Sequence, residues 1–201
     1  IRRSLPPPRV GHWSVGFSLL VSAFTTGVTQ ASEAGFNEAY RPVYHFTPRT
    51  GWIGDPDGLV LYRGQFHLYW WGHAVSRDLV YWTELDPPMH GGDGSFDYYT
   101  GSVVFDRRNT SGLGSRRVPP WVAIYTAHAR QGGRETQCIS WGRDPGHFDY
   151  YAGNPVLDLG STAFRDPDVF WDERFRRWVM VVAFSEERAV HFFTSPDLKH
   201  W

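Results

Sequence analysis

The sequence predicts an all-β chain folded as a β-propeller, and three observations carry that prediction. From Tyr40 onward, short apolar and aromatic runs alternate with turn residues. A short motif recurs after such runs: Ser76-Arg77-Asp78-Leu79-Val80-Tyr81-Trp82 and Ser195-Pro196-Asp197-Leu198-Lys199-His200-Trp201. A looser copy is Gly142-Arg143-Asp144-Pro145-Gly146-His147-Phe148. No stretch reads as a long amphipathic helix. Hairpins that repeat one motif per unit are the signature of propeller blades.

The elements follow in order. Arg2, Arg3 and Arg9 precede an apolar stretch from Val15 to Ala23, and small and polar residues follow through Thr29-Gln30-Ala31-Ser32. A basic region, a short apolar core and a small-residue end make residues 1–31 a secretory signal, and the protein is expected to be exported. The apolar run is too short to cross a bilayer, so no membrane association is expected once the leader is removed. A leader of no consequence is the alternative. Residues 32–201 then form one partial propeller domain. Leu59 to Tyr62 and Gln65 to Trp70 form a hairpin across Arg63-Gly64. Ser102 to Asp106 and Trp121 to Thr126 are the next strands, and Thr136 to Trp141 pairs with the latter. Asp168 to Trp171 and Arg177 to Ala183 form a second hairpin, turning through Asp172-Glu173-Arg174-Phe175. A last strand runs from Ala189 to Thr194.

Composition narrows the function. Lys+Arg 20 against Asp+Glu 21 leaves a net charge of -1, which gives nucleic acid or an anionic membrane nothing to hold. Aromatic residues make up 17% of the chain, with 10 Trp, more than a core of this size needs. Flat apolar faces with a polar edge suit stacking on sugar rings, although most Trp residues serve to pack sheets together. One cysteine, Cys138, rules out an internal disulfide and a cysteine metal site, and reads as a buried small hydrophobe. The histidines show no tight ligand spacing, so no metal or organic cofactor is expected.

Two aspartate-proline segments carry the chemistry: Gly51-Trp52-Ile53-Gly54-Asp55-Pro56-Asp57-Gly58 and Phe164-Arg165-Asp166-Pro167-Asp168. Proline biases the residue before it away from helical geometry, so each carboxylate sits on a constrained backbone. Asp55 there is a nucleophile, a metal ligand or a turn residue bonding its own backbone. Arg165 beside Asp166 either keeps that carboxylate ionised to accept sugar hydroxyls or forms a structural ion pair.

These segments resemble those of glycoside hydrolase family 32, the invertase, inulinase and levanase family. The resemblance rests on Tyr40-Arg41-Pro42-Val43-Tyr44-His45-Phe46-Thr47-Pro48, on Trp52 to Gly58, and on Trp71-Gly72-His73-Ala74-Val75-Ser76 continuing to Trp82. It extends through Thr100-Gly101-Ser102 with Asn109 to Gly112, Gly153 to Leu157, and Phe164 to Pro167. It implies a five-bladed β-propeller, of which this chain holds about the first half, acting on sucrose or a fructan such as inulin or levan with retention of configuration. It implies Asp55 as nucleophile, forming a fructosyl-enzyme, and Asp166 as transition-state stabiliser. Trp52, Asp57, Trp71, Thr100 and Arg165 are the implied substrate-binding residues.

Four departures from the family pattern stand out. The general acid of the family is a Glu in a Glu-Cys-Pro motif, and this chain has no such motif; Glu135, Glu186 and Glu187 are poor replacements. Gly54 and Asp57 each replace an Asn. A loop between Trp70 and Trp71 is shortened. The resemblance therefore implies a truncated β-fructofuranosidase whose isolated fragment is inactive. The alternatives are a fructan-binding or degenerate propeller without catalysis, and an arabinan- or xylan-cleaving propeller. Oligomeric state is left open.

Overall fold

A computed structural model describes residues 38–42, 44–90 and 93–201; the expected leader lies outside the described residues. Twelve strands and no helix occur among those residues, in three successive sheets. The first is β1 (Gly58–Tyr62), β2 (Gln65–Tyr69), β3 (His73–Ser76) and β4 (Trp82–Leu85), antiparallel in that order. The second comprises β5 (Met89–His90), β6 (Phe96–Phe105), β7 (Trp121–Ala129), β8 (Glu135–Asp144) and β9 (His147–Tyr150). Its spatial order is β5-β9-β8-β7-β6, with β5 running parallel to β9 on the outer edge. The third is β10 (Phe164–Asp172), β11 (Arg177–Phe184) and β12 (Ala189–Ser195). These are propeller sheets: the first and third begin with their innermost strands, β1 and β10, and in the second the outer strand β5 precedes the innermost, β6.

The inner strands β1, β6 and β10 lie side by side. The Val169 amide on β10 donates to Ser102 Oγ on β6 at 3.1 Å. A Cβ added at Gly58 on β1 would stand 3.0 Å from the Val103 amide nitrogen on β6. That close approach is the reason for a glycine there.

Strand β7 shows why the second sheet is the centre of the domain. Its residues are buried continuously from Trp121 to Ala127. Side chains alternate across a strand, so the two faces bury different partners. Val122 and Ile124 join Phe164, Val169, Trp178, Met180 and Val182 of the third sheet. Trp121 and Ala123 instead pack with Tyr69 of the first sheet, and with Val103 and Phe148. Cys138 sits in this interior at 2% exposure, as a small hydrophobe does.

The recurring motif is a hydrogen-bonded turn that closes the third strand of a sheet. Ser76 Oγ donates to Asp78 Oδ1 at 3.1 Å, the Val80 and Tyr81 amides donate to the same oxygen, and Trp82 Nε1 donates to the Leu79 carbonyl. After β12 the arrangement repeats: Ser195 Oγ to Asp197 Oδ1 at 3.2 Å, the Lys199 and His200 amides to Asp197, and Trp201 Nε1 to the Leu198 carbonyl. Leu79 and Leu198 are both left-handed, at φ 65 and φ 63. The looser copy differs. Asp144 to His147 is a tight hairpin in which Asp144 Oδ1 accepts the Gly146 amide. Four-residue strands β3 and β4 and the short outer strands β5 and β9 carry too few apolar residues to stand out in the sequence.

Gly101 is the tightest point of the inner strands near the site. It ends an irregularity in the β6–β7 register, and a Cβ there would collide with the Ile124 carbonyl and Tyr125 Cα. Gly101→Ala is expected to cost about 3 kcal/mol, the upper part of the overpacking range. Urea denaturation measures this, and a loss below about 1 kcal/mol would show that β6 can move aside.

Candidate active site

The two aspartate-proline segments meet at one cavity, where β1, β6 and β10 begin. The cavity has a volume of about 610 Å³, and Trp52, Asp55, Trp71, Thr100, Arg165 and Asp166 all line it. Trp70 and Tyr99 complete its aromatic wall, and Asp57 reaches it from beneath. Another cavity, of about 570 Å³, lies farther along the same three strands among Leu59, Leu61, Phe170 and Trp171, and it contains none of the expected site residues.

Asp55 is exposed to this cavity, and Thr100 Oγ1 donates to its Oδ2 at 2.9 Å, holding the carboxylate across the gap between the entry to β1 and β6. Gly54, directly before it, is left-handed at φ 62. Glycine takes that conformation without steric cost, so the turn into Asp55 carries no strain at this position. Trp52 is 86% exposed and offers a free indole face at the rim.

Asp57 behaves differently from its neighbour. Only 3% of it is exposed. Its Oδ1 accepts the Gly101 amide at 3.0 Å, and its own amide donates to the Tyr69 carbonyl at 2.8 Å. Burial pushes its carboxyl up to about 8; the Gly101 amide opposes the shift, and the charges of Asp55 and Asp166 add to it. At neutral pH Asp57 is therefore largely a neutral acid, close in shape and charge to an asparagine.

Asp166 does not sit in a loop turn. It lies inside β10, where the register with β11 shifts between Arg165 and Asp168, and its φ is 63. A bulge of this kind re-aims a side chain out of the strand's regular alternation. The carboxylate stands at the cavity wall. Partial desolvation raises its pKa first; Arg165 lowers it, and Asp55 and Glu135 raise it further. The two carboxylates line one cavity.

Trp71 occupies a left-handed position, φ 60, in the tight connection from β2 to β3, where the Trp70 amide donates to the Gly72 carbonyl. Its indole Nε1 donates to the Tyr99 carbonyl at 2.9 Å, and its ring meets Tyr125 edge-on at 5.7 Å. The connection from β2 to β3 is thus a firm turn that presents two adjacent indoles to the cavity.

Four contributors lay outside the expected set: Trp70, Tyr99, Glu135 and Thr126. Glu135 lies behind the cavity wall, fully buried and ion-paired with Arg165 Nε at 3.1 Å. Glu135 and Gln137 share one face of β8 with Ile139 and Trp141, and two polar residues in line with apolar ones are the sequence signal that marks it. No group of three or more His, Cys, Asp or Glu among the described residues could hold a metal ion.

The family model described as "Glycosyl hydrolases family 32 N-terminal domain" matches residues 45–201. The chain is 40% identical over 198 residues to a levanase of Bacillus subtilis, covering 91% of this chain and 28% of that protein. It is 40% identical to an invertase of Schizosaccharomyces pombe, covering 83% of this chain and 32% of that one. The solved fructofuranosidase of Schwanniomyces occidentalis in complex with fructose superposes with a TM-score of 0.74 at 37% identity, over 84% of this chain and 36% of that one. The chain therefore spans about a third of the length of these relatives.

Proposed function

This chain belongs to glycoside hydrolase family 32, and from that premise we propose that it carries the nucleophile half of a retaining β-fructofuranosidase site. The observation that supports this most directly is the convergence of Asp55 and Asp166 on one aromatic-rimmed cavity. Relatives named levanase, invertase and extracellular exo-inulinase point to sucrose or a fructan as substrate, and with the signal-like leader they support export.

Each group has a distinct task. Asp55, held by Thr100, attacks the anomeric carbon of the fructosyl unit, and the bond to the leaving oxygen breaks as the new ester bond forms. Asp166 accepts hydroxyl hydrogens of the same unit, and its bonds strengthen as positive charge develops on the ring. Arg165 keeps a positive charge at that wall, which opposes protonation of Asp166. Trp52 and Trp71 supply apolar faces that dock the ring and exclude water. Water then cleaves the ester and regenerates Asp55.

The leaving oxygen also needs a proton. Three carboxyl groups line this cavity. Asp55 and Asp166 are committed to other tasks, and Asp57 is almost fully enclosed. Glu135 is spent on Arg165. We assign the acid to a carboxyl outside these 201 residues, so the chain alone binds fructose without turnover. The test is fructose release from sucrose, inulin and levan, by residues 1–201 alone and by the protein with whatever its gene carries past Trp201. Release only by the longer protein is the expected result. Release by residues 1–201 would overturn the external acid. Release by neither would leave a fructan-binding propeller, the reading that Gly54 and Asp57 favour.

A further inference from the structure

We propose that Glu135, with Thr126 and Gln137, is a buried clamp that holds Asp166 and Arg165 in their working positions; it rests on the reading of Asp166 as a substrate-binding carboxylate. Asp166 is a non-glycine residue in the left-handed region, within a strand. Such a conformation persists only where its surroundings over-determine it. At the bulge the ladder cannot supply every backbone partner, and side chains of the neighbouring sheet do so instead.

The partners can be followed group by group. The Phe164 amide donates to Glu135 Oε2 at 2.8 Å. The Phe164 carbonyl accepts Gln137 Nε2 at 2.8 Å. The Asp166 amide donates to Thr126 Oγ1 at 3.1 Å, and that hydroxyl donates to Gln137 Oε1 at 2.9 Å. The same Glu135 Oε2 pairs with Arg165 Nε at 3.1 Å. Thr126, Glu135 and Gln137 are each 0% exposed. Three buried polar side chains thus bind three consecutive residues of β10, two of which line the cavity.

Glu135 also reaches the opposite wall. Its Oε1 lies 3.2 Å from His128 Nδ1. The His128 ring stacks on Tyr99 at 4.5 Å, with the planes 10° apart. Tyr99 lines the cavity and its carbonyl accepts the Trp71 indole. One carboxylate therefore ties the charged wall, Arg165 and Asp166, to the aromatic wall, Tyr99 and Trp71. A carboxylate enclosed at such a place costs desolvation unless its acceptor sites are filled, and here a cation, an amide and an imidazole fill them. Nothing in the packing of β7 against β8 by itself requires those polar groups. Apolar residues of similar size would serve a merely structural strand pairing as well.

Two arms test the clamp, and only one depends on turnover. In the first, NMR follows amide hydrogen exchange and the side-chain carboxyl titration of Asp166 in the wild type, Glu135→Gln, Glu135→Ala and Thr126→Val. Exchange at Asp166 is expected to accelerate about 10-fold or more in Glu135→Ala and Thr126→Val, with a displaced Asp166 titration. Leu61 and Phe66, paired with each other in the first sheet and away from the clamp, should keep wild-type exchange. In the second arm, the protein that releases fructose should lose about 10²-fold in kcat on Glu135→Ala with KM changed less than about 3-fold, the expected result of a small misplacement. Glu135→Gln, which retains shape and an acceptor, should recover part of that loss. If Glu135→Ala does not fold, Thr126→Val carries the exchange test, because it removes one hydroxyl at nearly constant volume. Unchanged Asp166 exchange and titration in folded Thr126→Val and Glu135→Gln would overturn the clamp. A wild type that cleaves no fructoside would overturn the proposed function while the exchange arm still decides the clamp.

Discussion

Asp55→Ala is expected to lower kcat on sucrose or fructan by on the order of 10⁴-fold or more in the protein that turns over, because it removes the atom that forms the covalent bond. Stability should hardly change. Asp55 is exposed, and the hydrogen bond that it accepts from Thr100 Oγ1 is at the surface. Removing an exposed hydrogen bond costs a few tenths to about 1 kcal/mol. A nearly unaltered melting temperature with activity abolished separates a chemical role from a structural one. Denaturing quench and mass spectrometry of the wild type supply the complementary observation: a fructosyl unit esterified to the peptide containing Asp55. Full activity in the folded Asp55→Ala variant, or the fructosyl unit found on another carboxylate, would overturn the assignment.

Asp57→Asn is expected to stabilise the protein at neutral and alkaline pH and leave it unchanged near pH 4. The folded carboxyl is raised from 3.8 to about 8, chiefly by burial. Between those values the folded state holds a proton that the unfolded chain has released. The unfolded state then binds fewer protons, and stability falls as pH rises. The loss begins near pH 4, grows up to about pH 8 and levels off above it. Integrated to pH 7, such a shift sets a ceiling of about 4 kcal/mol. Local relaxation and water entry reduce this, and roughly 2 kcal/mol is expected. Asparagine keeps the acceptor for the Gly101 amide and carries no proton to lose, so its stability should be flat over this window. Chemical denaturation of both forms from pH 4 to 9 measures the difference. Equal slopes would show that Asp57 is ionised throughout. Activity should follow the same residue: above about pH 8 the wild type gains a third negative charge beside Asp55 and Asp166, and the alkaline fall in kcat/KM should shift upward in Asp57→Asn.

Much of this was written locally in the chain. Apolar runs such as Trp121 to Thr126 and Arg177 to Ala183 declare themselves as strands, because side-chain alternation and β-branched or aromatic residues act over a few positions. The Ser-Asp-Leu-Trp turns are local as well. Every bond that makes them lies within four residues, so two distant copies close in the same way. The ordered motifs from Tyr40 to Trp201 were enough to place the chain in its family, and the family model spans residues 45–201 of it. Asp55, Asp166 and their neighbours were legible as candidates for the same reason.

What the sequence could not express was depth and convergence. Asp55 and Asp57 are two residues apart with the same side chain, yet one is open to the cavity and the other is 3% exposed with a carboxyl near 8. The difference comes from Gly101 and Tyr69 arriving beneath the turn, and those contacts span the first two sheets. Asp166 was readable as a residue before proline, but its left-handed place inside β10 depends on Thr126, Glu135 and Gln137, 29 to 40 residues earlier. Strand period and turn chemistry are properties of neighbours in the chain, and the sequence by itself determined them. Which carboxylate is buried, which is strained and which is ion-paired follows from contacts between sheets, where desolvation and cross-sheet hydrogen bonds act, and only the tertiary structure decided those.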